Sequence, residues 1–349
     1  MATGMAPTIR VAALTPGGAA LARRLARELP GAQVFLPHHL AVPPEEVPFA
    51  RIAEVVAAAF AQREPLVCIM AAGIVVRSIG PHLQGKDQDP PVVVVDEAGQ
   101  FAISLVSGHL GGANDLARQV AAITSGAPVI TTATDVAGLP AFDVLAGRLG
   151  LIIENIAAVR EVHAALLQGR TVQVVDPEDV LNESLAAYPD LFHCEGEMDK
   201  ALAGAGPTVY VGCQERSWPA HWLILRPRRL VAGLGCHAGT PAGEILALIT
   251  ETFQEEGLSL KCLKSMATIE ARKDEPGLIG AARQLGVEFL WFSRKDLEGI
   301  TVPHPSPHAA QHLGVASVSE AAALKGAGGE LVVGKRKGKN ATLAVARVP

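Results

Sequence analysis

The chain has 349 residues, of which 49% are hydrophobic and 4% aromatic, with a formal net charge of −5. That length suits two or three domains of about 150 residues each, and the acidic balance excludes the basic footprint of a nucleic-acid binder. No uncharged apolar run reaches the roughly 18 residues of a membrane span, and five scattered cysteines without a CxxC pair exclude a disulfide framework and point to a reduced, cytoplasmic protein.

In chain order, "IRVAAL" predicts a strand that breaks at Thr15, Pro16 and two glycines into a helix through Leu21, Leu25 and Leu29. "PLVCIMA" leads into the helical "AGIVVRSIGPHL", and "PVVVVD" and "FAISLV" follow as strands. A helix begins near Asn114, and "APVITTATD" closes the first part. Strands alternating with helices predict an α/β fold with largely parallel sheets. The continuous apolar runs "PVVVVD" and "APVITTA" are expected to be covered on both faces.

After Gly147 the glycine patterning fades, so the expected organisation is an amino-terminal α/β domain over 1–147, a more variable α/β middle region over 148–226 and a carboxy-terminal α/β domain over 227–349. "RPRRL" reads as the linker between the last two. "LVAGLGCHAGTPAGEILALITETF" then repeats the strand–Gly-loop–helix theme, with Thr240 as N-cap, Pro241 at N1 and Ile245, Leu248, Ile249 and Phe253 as the buried stripe. "LSLKCL" reads as the next strand, and Ser317 and Glu320 have capping-box spacing. The end, "GELVVGKRKGKNATLAVARV", reads as two strands around a basic, solvated turn with a second reading as an anion clamp.

The strongest candidate site is the loop "SGHLGGAN", with Ser107, Gly108, Gly111, Gly112 and Asn114. Amides at a helix N-terminus favour negative charge, and glycines let a ligand approach them; the plainer reading is a tight connection needing positive φ. His109 within it suits acid–base work near neutral pH. Thr131, Thr132, Thr134 and Asp135 are expected at the end of a buried strand, where ligands of α/β sheets gather. Arg77 and Lys86 are candidate carboxylate clamps. "GLGCHAGT" places Gly235, Cys236 and His237 at a second helix start, but it is not a dinucleotide fingerprint, because the pattern is GxGxxxG and no acid closes "LSLKCL". His304, His308 and His312 cannot share one helical face across Pro305 and Pro307, so they read as surface histidines and no metal site is expected.

Taken together, "MAAGIVVRSIGPHLQGKDQDPPVVVVDEAGQFAISLVSGHLGGANDLARQVA", "PVITTATD", "GLGC", "EPGL", "VPHPSPHAAQHLGVASVSEAAAL" and the final basic hairpin resemble the CbiG family, the cobalt-precorrin-5A hydrolases of anaerobic cobalamin biosynthesis. The resemblance covers nearly the whole chain and is weakest from about Leu151 to Arg226. His237 and Ala238 stand where the family commonly has basic residues. The resemblance implies hydrolysis of a ring A δ-lactone on a cobalt-bearing, ring-contracted tetrapyrrole, with loss of a two-carbon fragment as acetaldehyde to give cobalt-precorrin-5B. It also implies that cobalt arrives inside the substrate, so no cofactor is expected. Glu275 of "EPGL" and Lys335 of the basic turn join the substrate-binding set with it. In the expected mechanism His109 is general base or acid, Asp135 orients it, and amides near Gly111 and Gly112 hold the oxyanion. Two other readings stay open: a non-catalytic carrier of a cobalt-corrinoid intermediate, and a phosphate- or nucleotide-binding α/β enzyme. Hand-over to other enzymes of the pathway and a homodimer are open as partners.

Overall fold

The alternation of apolar strands and amphipathic helices resolves into three sheets in a computed structural model, which describes residues 8–349 apart from 86–87, 110, 197, 205, 307–310 and 312. The sheets fall in two compact units, one ending at Gly147 and the other beginning at Arg148. Lys86, His308 and His312 lie outside the described residues.

The first unit holds β1 (Ile9–Ala13), β2 (Ala32–Pro37), β3 (Val47–Phe49), β4 (Leu66–Ile69), β5 (Val92–Val95), β6 (Phe101–Val106) and β7 (Ala127–Val129), in the order β3-β2-β1-β4-β5-β6-β7. All neighbours are parallel except β5 and β6. β4 and β5 are buried at every residue, as their unbroken apolar runs predict for strands covered on both faces. β7 departs from that expectation. It is three residues long, lies at the sheet edge and is mostly exposed, because the chain turns at Ile130 and enters a short helix, Ala133–Val136. At the other end Thr15 caps the helix Pro16–Glu28, its hydroxyl accepting the Gly18 amide at 3.1 Å.

The second unit contains two sheets. One comprises β8 (Leu151–Ile153), β9 (Val172–Val175), β10 (Phe192–Cys194), β11 (Thr208–Val211) and β12 (Leu223–Pro227), ordered β10-β9-β11-β12-β8, with only β8 antiparallel. The other comprises β13 (Leu230–Cys236), β14 (Leu263–Ile269), β15 (Glu288–Phe292), β16 (Glu330–Lys337) and β17 (Ala341–Arg347), ordered β15-β14-β13-β17-β16. Here β13, β14 and β15 are parallel, and the hairpin β16–β17 adds antiparallel to β13. The α/β class and the predominance of parallel pairing are as expected.

Three local expectations are corrected in this unit. "RPRRL" is not a linker: Arg226 belongs to β12 and is fully buried, ion-paired to Glu154 at 2.6 Å and donating to the Gly212 carbonyl at 3.1 Å. A buried guanidinium of this kind is held only because acceptors surround it. "LSLKCL" is not a strand either: Leu260–Cys262 forms a 3-10 turn, and the strand is Leu263–Ile269. Thr240 does not cap the helix Ala242–Glu255. Pro241 holds that position, and the Thr240 hydroxyl donates to the His237 carbonyl at 2.8 Å, while Ile245, Leu248, Ile249 and Phe253 form the buried stripe as expected.

Candidate functional site

β6 delivers the chain to Ser107, whose φ of +58° starts a tight reversal into the helix Ala113–Thr124. The reversal needs its glycines for close approach. A Cβ on Gly108 would stand 2.7 Å from the Asn114 Oδ1, and one on Gly111 would stand 2.4 Å from the Ser107 Cβ. Gly112 is left-handed at φ +87°.

Three amides of this reversal are already used. Gly112 N–H donates to the His109 carbonyl at 2.9 Å, Ala113 N–H to the Ser107 carbonyl at 3.1 Å and Asn114 N–H to the Gly108 carbonyl at 3.0 Å. The expected oxyanion role for Gly112 is therefore corrected: its donor is consumed inside the turn. The Ser107 hydroxyl likewise donates to the Asp89 carbonyl at 2.8 Å, and fastens the loop.

What the loop presents is its side chains. His109 Nε2 lies 2.7 Å from Asp135 Oδ2 and 3.3 Å from the Thr134 hydroxyl, while Nδ1 lies 3.3 Å from Asp143 Oδ2. Asn114, nearly buried, donates to Asp135 Oδ2 at 2.9 Å and to the Thr132 hydroxyl at 3.2 Å, and its own Oδ1 accepts the Ser104 hydroxyl at 2.6 Å. Arg118 donates to Asp135 Oδ1 at 2.6 Å and to Asp115 at 2.7 Å. So His109, Asn114, Thr132, Thr134 and Asp135 meet, although Asp135 sits on the helix Ala133–Val136 and not at a strand end. Thr131 is exposed, and neither it nor the exposed Arg77 joins this network among the described residues.

Sequence reasoning missed Asp143 and Arg118. Asp143 is nearly buried, on the face of the helix Phe142–Leu149 that also buries Phe142 and Ala146. An acid inside an apolar stripe was the available signal. Arg118 with Asp115 has the i,i+3 spacing of an ordinary surface pair.

Two carboxylates on opposite edges of one imidazole favour its doubly protonated form. The hydrogen bond with Asp143 raises the His109 pKa most; burial opposes it, and Asp135 adds to the rise. Burial pushes the Asp135 carboxyl up, but hydrogen bonds from His109 and Arg118 outweigh it and hold the group below its ordinary range. A raised pKa and a carboxylate at each ring nitrogen favour the acid role of His109 over the general-base one. Linkage fixes the pH dependence. With a folded pKa above the unfolded value of about 6.5, His109 stabilises the fold fully below that value and loses this contribution as pH rises through the folded pKa. Melting temperatures at pH 6 and pH 9 should therefore differ more for the wild-type chain than for His109→Gln. Equal pH dependence in the two proteins contradicts the assignment.

The second glycine loop behaves like the first. Gly239 N–H donates to Glu275 Oε1 at 2.7 Å, so Glu275 fills this helix start from within, and it also faces Arg272 at 3.7 Å. Glu275 is a wall of the loop and not a free ligand group. Burial, with Glu275 adding to it, pushes the Cys236 thiol up to about 11, which disfavours a thiolate. Gly235, Cys236, His237 and Lys335 do meet. They line one cavity of about 530 Å³ together with Arg272 and Lys337.

The capping box expected from Ser317 and Glu320 does not form. Ser317 precedes the helix Val318–Ala327 without a side-chain cap bond. Glu320 is fully buried and accepts the His304 Nδ1 at 2.7 Å, the His304 amide at 3.1 Å and the Lys335 amide at 3.1 Å. A carboxylate with no exposure needs donors around it, and these three outcompete the helix end. The His304 side chain itself is largely exposed, as expected.

Comparison with known proteins places these features. The family model described as Cobalamin synthesis G N-terminal matches residues 54–135, Cobalamin biosynthesis central region matches 140–227, and Cobalamin synthesis G C-terminus matches 230–346. A cobalt-precorrin-5A hydrolase from Priestia megaterium is 35% identical over 301 residues, covering 83% of this chain and 80% of that protein. The cobalt-precorrin-5A hydrolase of Salmonella typhimurium is 34% identical, covering 97% and 98%. A crystal structure of a cobalamin biosynthesis protein G homologue from Sulfolobus solfataricus is 20% identical, covering 98% of this chain and 97% of that one, with a TM-score of 0.37. On this extent of match and identity, the chain belongs to the CbiG family of cobalamin biosynthesis.

Proposed function

We propose that the chain is a cobalt-precorrin-5A hydrolase. It opens the ring A δ-lactone of its cobalt-bearing tetrapyrrole and releases the two-carbon fragment as acetaldehyde. The observation that carries this reading is His109 held between Asp135 and Asp143, an arrangement that favours a proton on the ring. Lactone hydrolysis and acetaldehyde loss both turn on one oxygen, the lactone's alkyl oxygen. Water adds its hydroxyl to the acyl carbon and gives its other proton to solvent, and the acyl–oxygen bond breaks. The imidazolium of His109 protonates the departing alkoxide as one carboxylate contact is exchanged for substrate. The neutral imidazole then takes that same proton back. The oxygen's electrons form the aldehyde carbonyl, the carbon–carbon bond breaks, and its electron pair stays on the macrocycle, which takes up a proton from solvent. The sum is substrate plus one water giving the acid and acetaldehyde. Asp135, with three donors on its two oxygens, is a poor base and serves to orient His109.

In this reading cobalt enters with the substrate and the chain contributes acid–base groups and binding. Its five free thiols suit a reducing cytoplasm, and no described helix is long and apolar enough to cross a membrane. Turnover in water labelled with oxygen-18 tests the chemistry. One labelled oxygen should appear in the new carboxylate of the macrocycle. An unlabelled macrocycle would mean that the alkyl–oxygen bond breaks instead, and the acid role of His109 would fall.

A further inference from the structure

The cavity of about 530 Å³ in the second unit falls within the about 300–1,000 Å³ usual for small-molecule sites, and its lining is lopsided. Arg272, Lys335, Lys337 and Lys339 all face it, and no carboxylate is among its described lining residues. Like charges this close repel one another, so a protein keeps them together where a ligand supplies the opposite charge.

A second observation points the same way. Ser317 also lines the cavity, is 1% exposed, and its hydroxyl has no hydrogen-bond partner among the described residues. An unmade hydrogen bond at a buried hydroxyl is costly, and this one stands at the cavity, where an acceptor on a ligand would complete it. The wall is also held firmly. Glu320 fixes the Lys335 amide and His304 from beneath, and the Lys335 Nζ donates to the His304 carbonyl at 3.1 Å. Glu244 accepts both the amide and the Nδ2 of Asn340, pinning the turn that carries Lys337 and Lys339 to the helix Ala242–Glu255. The basic turn is exposed over residues 336–339, as expected of a solvated turn, while Lys335 and Asn340 on either side of it are fixed.

We infer that this cavity is a binding site for two or more carboxylates of one ligand, held by Lys335, Lys337, Lys339 and Arg272, with the Ser317 hydroxyl as an interior donor. Naming that ligand as the carboxylate-rimmed macrocycle rests on the proposed function; the anion site does not. Glu320 acts through Lys335 as a positioning residue.

Fluorescence titration of the full chain with uroporphyrin I, an octacarboxylate porphyrin that this reaction cannot consume, tests the inference. Its octamethyl ester and ATP serve as controls. The wild-type chain should bind the acid and not the ester. The combined substitution Lys335→Gln, Lys337→Gln and Lys339→Gln should weaken binding at least about 30-fold, a loss of about 2 kcal/mol. Ser317→Ala should bind several-fold more weakly, yet melt no lower than wild type without ligand, because it removes a hydroxyl that had no partner. Unchanged affinity in the triple variant overturns the site, and tighter binding of ATP than of the porphyrin overturns its carboxylate character. Acetaldehyde release by the wild-type chain with charge-independent porphyrin binding would sink this inference and spare the hydrolase. Charge-dependent binding without acetaldehyde release would do the reverse.

Discussion

His109→Ala should lower the rate of acetaldehyde release at least about 100-fold, the usual scale for losing a positioned acid–base group. The fold should survive, because His109 sits on a surface loop and the apolar residues packed around β1, β4 and β5 do not include it. The effect should appear in kcat, since in the proposed mechanism His109 acts on an oxygen whose charge develops only as the lactone opens. Asp135→Asn leaves the shape intact but replaces an acceptor that fixes His109 Nε2 at 2.7 Å, so its rate should fall between the two. Single-turnover assays with anaerobically prepared substrate, alongside circular dichroism of each variant, make the comparison. Wild-type turnover in folded His109→Ala would remove His109 from the chemistry.

Gly233→Ala should destabilise the second unit by about 3 kcal/mol, the upper end of the overpacking range. Gly233 lies in the middle of β13, and an added Cβ would stand 2.0 Å from the Ser319 carbonyl oxygen and 2.4 Å from the Ala323 amide nitrogen. Both belong to the backbone of the buried helix Val318–Ala327, which packs against β13, and backbone cannot swing aside. Gly235→Ala is the control. Its Cβ would meet the Thr342 hydroxyl at 2.9 Å and the Val318 side chain at 3.5 Å, groups free to shift, so about 1 kcal/mol or less is expected. Urea denaturation of the three proteins gives the ranking, and equal midpoints for Gly233→Ala and wild type would contradict the packing account.

These glycines show where the sequence was legible and where it was not. A glycine-rich string between a strand and a helix says that backbone comes close to something, but not what. At Gly108 and Gly111 the close neighbours are Asn114 and Ser107, and at Gly233 they belong to a helix more than 80 residues later in the chain. Anion binding at both helix starts was a fair expectation from the pattern. The chain satisfies one start with its own carbonyls and the other with Glu275, a contact 36 residues away. By contrast, the nearness of His109 to Asp135 was readable, since each lies on the segment that follows one of two successive, parallel strands, β6 and β7.

Charges on helices were the hardest to read. Glu320 follows Ser317 at the spacing of a helix cap, yet complete burial turns it into an anchor for His304 and Lys335. Arg226 looked like part of a basic linker because its partners, Glu154 and the carbonyls after β11, are supplied by distant parts of the chain. The α/β alternation and the apolar runs of β4 and β5 needed no such partners, and local periodicity was enough to find them.

The central claim is that this chain catalyses and does not merely carry. The most direct test is anaerobic incubation of the purified protein with cobalt-precorrin-5A, following acetaldehyde and the mass of the macrocycle in the same sample. Catalysis requires acetaldehyde to appear in step with a macrocycle that has gained one water and lost the two-carbon fragment. Tight binding with an unchanged macrocycle mass and no acetaldehyde would contradict it and leave a carrier.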